Sequence, residues 1–366
     1  SETSSQFISL SSVAARELSR LERLVVRSTL KRSVQTARVG CVCYNTIMDE
    51  SGHIPVLLEE TMRLLEPQRG QTVVDATCGR GGHALALAEA IGTGQPGGGR
   101  LIGFDVDPAN LDATRQRLDA AGCSFTAIHA SFVRLPYELE QIGAKADAVL
   151  ADLGFSSTQV DDPSRGFGFR EPGPLDMRMD PDAPVTAADL LQSMTESELA
   201  DIIRRYGEEP LARPIARKLA QINRDQPMTT TTELADAVVS VYGRRAGRSR
   251  LHPATRTFMA LRIAVNDELG ALQGLLEHVA RAADLHNRST ADHGGWLNRP
   301  AKVAIISFHS LEDRLVKQTF AAIERAEHGT RLTKKPIKPG PEECRRNPRA
   351  RSARLRAIRI DDGHGT

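Results

Sequence analysis

The 366-residue chain has no apolar run approaching the ~20 residues that cross a bilayer, so a helical membrane protein is excluded and a soluble one is expected. Its five cysteines, at 41, 43, 78, 123 and 344, are odd in number and irregularly spaced. The Cys41-x-Cys43 pair has no second pair and no neighbouring histidines, so zinc-binding spacing is absent and no metal is expected. Nor do the cysteines form a disulfide framework; reduced thiols in a cytoplasmic compartment are the default. There is one tryptophan, Trp296. What is present is a 40% hydrophobic composition, enough for a substantial core, in a length that suits two or three domains or one core domain with a large insertion.

The net charge of +2 conceals an uneven distribution. Residues 331–359 carry eleven Lys/Arg against two Glu, and residues 1–47 carry seven against three, while the middle of the chain, 48–330, is net acidic. A basic tail on an acidic body points to a polyanionic partner, RNA or DNA, with a solvated tail as the alternative.

Residues 1–47 read as separate from the rest: Ser-rich and Arg-bearing, with an amphipathic pattern over 13–30 in which Leu18, Leu21, Leu24 and Val25 share a face. An organelle-targeting segment, a flexible extension, or translation from a start upstream of Met48 all fit, and the last two are favoured.

From His53 the pattern becomes regular. A helix over 57–65 stops before Pro67. Strands are expected at 72–75, 101–105, 125–129, 146–153 and 302–307, with a last strand at about 353–360. Helices are expected over 83–91, from Pro108 to about 121, at about 253–283 and over 310–326. Such alternation predicts a parallel α/β sheet. Gly92 to Gly99 reads as a surface turn, because no strand feeds it. Between Asp161 and about Arg250 the alternation fails, and helical patterns at 187–191, 196–206, 211–223 and 233–242 predict an all-helical insertion, the last with threonines before it as caps.

Chemistry concentrates at the strand ends. After the first strand comes Asp75-Ala76-Thr77-Cys78-Gly79-Arg80-Gly81-Gly82-His83, a glycine turn into a helix, where the backbone can approach a ligand with no Cβ in the way. It reads as G-x-G-x-x-A for a dinucleotide pyrophosphate, as the D-x-x-x-G-x-G turn of an S-adenosylmethionine (SAM) methyltransferase, or as a ligand-free βα turn. Asp105 ends the second strand, where Rossmann-type folds hold ribose hydroxyls. The fourth ends in Asp152-Leu153-Gly154-Phe155-Ser156-Ser157-Thr158-Gln159, and the fifth in Ser307-Phe308-His309-Ser310-Leu311-Glu312-Asp313-Arg314. Each polar residue alone can be a helix cap or turn former. Polar groups at four strand tips together point to one crevice.

These segments, together with His53-Ile54-Pro55-Val56-Leu57-Leu58-x-Glu60, Phe104-Asp105-x-Asp107-Pro108, Arg165-Gly166-Phe167-Gly168-Phe169, Gly173-Pro174-Leu175-Asp176-Met177-Arg178-Met179-Asp180, Tyr206-Gly207-Glu208-Glu209, His252-Pro253-Ala254-Thr255-Arg256-Thr257-Phe258 and Asn347-Pro348-Arg349-Ala350-Arg351-Ser352, resemble the bacterial RsmH (MraW) enzymes over about residues 53–360. The resemblance implies a Rossmann-like class I methyltransferase sheet, spanning 48–160 and 253–366, with the all-helical domain at 161–252 inserted and assisting RNA recognition. It implies SAM-dependent methylation of the N4 amine of a cytosine in small-subunit ribosomal RNA, free or assembled in the subunit, with a second copy of the chain as a candidate partner. SAM contacts are implied at Gly81, Gly82, His83, Asp105, Phe132, Asp152 and Gln159: glycine backbone at the methionine part, Asp105 accepting from both ribose hydroxyls, Phe132 over the adenine, Asp152 and Gln159 at the amino acid end or the base. Asp152 is expected to orient the reacting groups, with Ser156 or His309 near the amine. The chain departs from the family at Thr158, where Pro is usual, in the long approach to the fifth strand over 284–300, and in residues 1–47, which have no counterpart.

Overall fold

The computed structural model describes residues 55–248, 252–288 and 295–361. The expectations for residues 1–47, and the His53-Ile54 start of the first motif, lie outside them.

The chain enters through helix α1 (Leu58–Leu65) and then alternates: β1 (Thr72–Asp75), α2 (Gly82–Ile91), β2 (Arg100–Asp105), α3 (Pro108–Ala120), β3 (Thr126–His129), α4 (Leu135–Gln141) and β4 (Ala146–Asp152). A short helix α5 (Ser157–Asp161) leads into the helical layer of α6 (Ala187–Ser193), α7 (Glu196–Arg205), α8 (Ala212–Asp225), α9 (Thr231–Tyr242) and α10 (Thr255–Val265). The sheet resumes through α11 (Glu268–Arg288), β5 (Leu297–Ser307), α12 (Ser310–Arg325), β6 (Gly329–Arg331), α13 (Pro341–Arg346) and β7 (Arg354–Ile360).

The seven strands lie in the order β3-β2-β1-β4-β5-β7-β6. β1 to β5 are parallel, and β7 runs antiparallel to both β5 and β6. Successive strands step outward from β1 to β3, and β4 then returns to the other side of β1. That reversal opens a crevice beyond the carboxyl ends of β1 and β4, where this architecture binds ligands.

Strand side chains alternate between faces, and the core divides accordingly. Val74, Ile102, Phe104, Val149, Val303 and Ile305 pack under α11 and α12, through Leu272, Leu275, Val279 and Phe320. Their neighbours Val73, Leu101, Leu150, Ala304 and Ile306 pack with Leu65, Leu85, Leu87 and Ile91 on the opposite side. A third cluster fills the helical layer, with Leu191, Ile203, Ile215, Leu219 and Leu234 joined by Phe258 and Leu261 of α10. Three of its helices begin with reciprocal caps, Thr186 with Asp189, Thr195 with Glu198 and Thr230 with Glu233; each such cap contributes about 1 kcal/mol.

Two expectations change. The single helix at 253–283 is two helices, broken at Asn266 and Asp267, the latter at φ 44°. The break frees Asn266 to pin the segment from the helical layer: its Oδ1 accepts from Met179 N at 2.7 Å and its Nδ2 donates to Met177 O at 2.8 Å. The fifth strand starts at Leu297, five residues before the sequence reading, and α4 and β6 were not anticipated.

Candidate active site

Beyond the β1 and β4 ends lies a cavity of about 440 Å³. Gly82, His83, Asp105, Phe132, Asp152, Ser156, Gln159 and His309 all line it; of the anticipated residues, only Gly81 does not.

The three turn glycines have different tasks. Gly79 sits at φ 51°, and a Cβ there would meet nothing within 4 Å, in the open space of the cavity. Gly81, at φ 76°, has little room for a Cβ: one would lie 3.0 Å from Thr114 Oγ1, and Thr114 would have to give way. A Cβ on Gly82 would strike Pro55 Cγ at 2.4 Å. Gly81 therefore lets α2 approach α3, and Gly79 is the residue whose bare backbone faces the cavity.

Asp105 is held by its own loop. Its Oδ1 accepts from Asp107 N at 2.9 Å and Asn110 Nδ2 at 3.2 Å, and its Oδ2 accepts from Gly79 N at 2.8 Å. A carboxylate has about four lone-pair sites, so roughly one, on Oδ2, remains for a ligand hydroxyl, rather than the two the sequence reading assigned. Burial lifts this carboxyl to about 6, against the pull of the backbone N–H groups of Asp107 and Gly79. Burial likewise lifts the enclosed Asp75 to about 7, with the Asp105 charge adding to it.

Gln159 lines the cavity, but its amide is engaged: Oε1 accepts from Ser156 N at 2.8 Å and Nε2 donates to Asp107 Oδ2 at 2.9 Å. Arg165 Nη1 donates to the same Asp107 oxygen at 2.7 Å, and its Nη2 donates to the carbonyls of Arg178 and Met179. One buried carboxylate thus ties the β2 loop to the segment carrying Met179, which itself lines the cavity.

Ser156 and His309 are helix N-caps. Ser156 Oγ accepts from Gln159 N. His309 Nδ1 accepts from Glu312 N at 3.4 Å, and its Nε2 lies 3.2 Å from Glu312 Oε1. Burial works to raise Glu312, but His309, the Phe308 N–H and Arg262 outweigh it and hold the carboxyl below its usual range. Nδ1 of His309 is used as the cap, whereas Nε2, close to Glu312, is buried with no hydrogen-bond partner among the described residues.

Asp152 differs from Ser156 and Gln159. Its Oδ1 is buried with no hydrogen-bond partner among the described residues, and its Oδ2 lies 3.6 Å from His83 Nδ1. Burial raises this carboxyl well above its ordinary value, with the charges of Asp75 and Glu312 adding to it. Phe132, just past β3, lines the cavity and packs on the core.

The sequence reading missed the opposite wall. Phe155 is 37% exposed; it stacks on Phe167 at 5.6 Å, and the Arg262 guanidinium sits over its ring at 4.4 Å. Glu268, His309 and Glu312 bring ligand atoms within 4.8 Å of one another, but Glu268 is already spent on Arg262, which supplies the local positive charge. Asn347, Arg349 and Ser352 of the basic segment reach the rim, with Arg349 paired to Asp161 at 2.5 Å. The basic tail and its Asn347–Ser352 motif were the signal for that rim; nothing linear joins Arg262 to Phe155.

The family model described as the MraW methylase family matches residues 50–361. Ribosomal RNA small subunit methyltransferase H of Anaeromyxobacter dehalogenans is 44% identical over 322 residues, 84% of this chain and 97% of that protein. The protein of the same name from Trichlorobacter lovleyi is 43% identical over 85% of this chain and 98% of its own length. That of a Synechococcus species is 45% identical over 83% and 90%.

Proposed function

Since this chain belongs to the MraW methylase family and is a SAM-dependent methyltransferase, we propose that it methylates the exocyclic N4 amine of a cytosine in small-subunit ribosomal RNA. The observation that carries this reading is the unpartnered Asp152 Oδ1, buried at the β4 tip on a cavity whose mouth exposes Phe155.

The residues suit the cofactor. The bare Gly79 backbone, the remaining acceptor site on Asp105 and the Phe132 ring line one cavity, and carboxylates at the strand tips favour a cationic ligand. Gly79, His83, Asp105, Phe132 and Asp152 are the residues proposed to hold it; Gly81, Gly82 and Gln159 shape the walls. When bound, SAM supplies an electrophilic methyl group on a sulfonium.

The cytosine amine is a weak nucleophile because its lone pair is delocalised into the ring. Asp152 accepts a hydrogen bond from that amine, localises the lone pair and takes up the developing positive charge. Holding the amine in an attacking geometry can supply ~7–11 kcal/mol of the barrier. The base must leave its stack to enter, which favours a single-stranded or loop site. The basic rim around Arg349 contacts flanking phosphates, and the helical layer, residues 161–252 with α10 packed on it, contributes to RNA recognition. No helix among the described residues is long and apolar enough to cross a membrane; the proposed place of action is the cytoplasm, on free RNA or the assembled subunit.

The test is transfer of tritiated methyl from SAM to small ribosomal subunits and to their free RNA, followed by mass-spectrometric mapping. Label on cytosine N4 supports the reading. Label on another base, or none in either substrate, rejects it.

A further inference from the structure

Arg262 lines the cavity with a guanidinium that is anchored on one side and unspent on the other. Its Nε donates to Glu268 Oε1 at 2.7 Å and its Nη2 to Glu268 Oε2 at 2.9 Å. Both side chains are largely buried, at 13% and 8% exposure. Among the described residues these are the only hydrogen bonds of this guanidinium. A guanidinium has five N–H groups in a planar fork; two face Glu268, so the remaining N–H of Nη2 and the pair on Nη1 are left. With one N–H from each nitrogen, they form the outer fork, two parallel donors facing away from Glu268.

The surroundings fix this fork in place. The Glu268 pair sets its plane, and the cation rests 4.4 Å over the Phe155 ring, three residues past Asp152 on the same cavity. Glu312 and His309 stand behind it, engaged with each other. Leaving charged donors unused in a largely buried place is costly unless a ligand takes them.

We propose that Arg262 reads the acceptor base, donating from its outer fork to N3 and O2 of cytosine while Asp152 accepts from the N4 amine. This rests on the cytosine reading above. Cytosine presents an amine followed by two adjacent acceptors on its Watson–Crick edge. Adenine presents an amine and one acceptor, then C2–H; uracil presents an N3–H that opposes the fork. An amine-methylating site with this donor pair therefore accepts cytosine and rejects both. Arg262 acts on specificity and base orientation, not on the proton.

The test is a cycle between protein and base. Small-subunit RNA carrying cytidine or 3-deazacytidine (C–H in place of N3) at the acceptor position is offered, free and in reconstituted subunits, to the wild type and to Arg262→Lys. Lysine keeps the charge beside Glu268 but cannot form the fork. At saturating SAM, 3-deazacytidine is expected to lower wild-type kcat/KM by about 10- to 100-fold. Arg262→Lys is expected to lose a similar factor on cytidine and little more on 3-deazacytidine, with its SAM dissociation constant unchanged. The altered reactivity of the deaza ring is common to both enzymes and cancels in the ratio. Losses that multiply, or a wild type indifferent to 3-deazacytidine, overturn the proposal. So does weakened SAM binding with cytosine discrimination intact, which would assign the guanidinium to the cofactor. If Arg262→Lys does not fold, Arg262→Gln takes its place in the cycle. A wild type that leaves cytidine itself unmethylated refutes the cytosine reading instead.

Discussion

His83 Nδ1 faces Asp152 Oδ2 at 3.6 Å while His83 Nε2 lies 3.0 Å from the carbonyl of Val56. A carbonyl only accepts, so Nε2 carries the hydrogen and Nδ1 meets the carboxyl either as a bare lone pair or as a second N–H. A proton held on Asp152 suits the first state, and an imidazolium beside a carboxylate the second. Burial raises the Asp152 carboxyl, with Asp75 and Glu312 adding like charge, and an acid so raised is protonated at pH values where an ordinary aspartate is ionised. The protonated form keeps a carbonyl lone pair but has no negative charge to take up the positive charge developing on the amine. Methyl transfer at saturating SAM should therefore fall as pH drops, and His83→Gln should shift that acid limb. Asp152→Asn is expected to lower kcat at saturating SAM by roughly 100-fold or more, separately from any loss of SAM affinity read by calorimetry. Full turnover in Asp152→Asn would remove Asp152 from the chemistry.

Asp105 sets a second pH dependence, on binding. Its carboxyl is lifted to about 6 by burial. Above that value it is ionised, accepts from a ligand hydroxyl and attracts a cation; below it, both interactions weaken. SAM affinity should thus be greatest at pH 7 and above and fall by roughly tenfold by pH 5, one pH unit below the titration point. Titrations between pH 5 and 8 test this, and Asp105→Asn should bind weakly with that part of the pH dependence lost. A flat wild-type profile would mean that this carboxylate does not contact the ligand.

The sheet and crevice were legible because each β-α step leaves its own periodicity, and polar residues at several strand ends have no use in a core. Individual roles were less legible, because one residue type serves two ends. Ser156, Gln159 and His309 sit where a site residue would, yet Ser156 Oγ, the Gln159 amide and His309 Nδ1 close helix N-termini and loop contacts. The helix break at Asn266 and Asp267 interrupts no apolar pattern; its reason is two hydrogen bonds to Met177 and Met179, nearly ninety residues away. Arg262 is hidden similarly, since its meaning depends on Phe155 and Glu268, which meet it only in the folded chain.

The division of labour between Gly79 and Gly81 separates binding from folding. Both have positive φ, so alanine at either costs about 1–2 kcal/mol of backbone strain. At Gly81 the added methyl also presses on Thr114 at 3.0–3.1 Å, whereas at Gly79 it enters open cavity. Gly81→Ala should lower the melting temperature of the ligand-free protein more than Gly79→Ala does. Gly79→Ala should show the larger loss of SAM affinity. Thermal unfolding with and without SAM measures both, and the reverse ranking would put the cofactor against Gly81.

The basic segment should reveal itself through salt. Arg349 is already paired with Asp161, and Arg345 and Arg346 lie beside Glu342, so not every charge is equally available to phosphate. Exposed Arg351 has no such carboxylate partner among the described residues and is the stronger single contributor. Replacing Arg345, Arg346, Arg349 and Arg351 together by Gln should weaken RNA binding and flatten the plot of log affinity against log salt. Each lost phosphate contact removes roughly 0.7 from the slope on a single strand, so four full contacts would remove about 2.8, and the internal pairing makes a smaller change the expected one. Filter binding between 50 and 200 mM salt, concentrations over which phosphate-dominated affinities change steeply, resolves the difference. An unchanged slope would leave the segment as a structural rim, and RNA affinity would then have to arise from the helical layer.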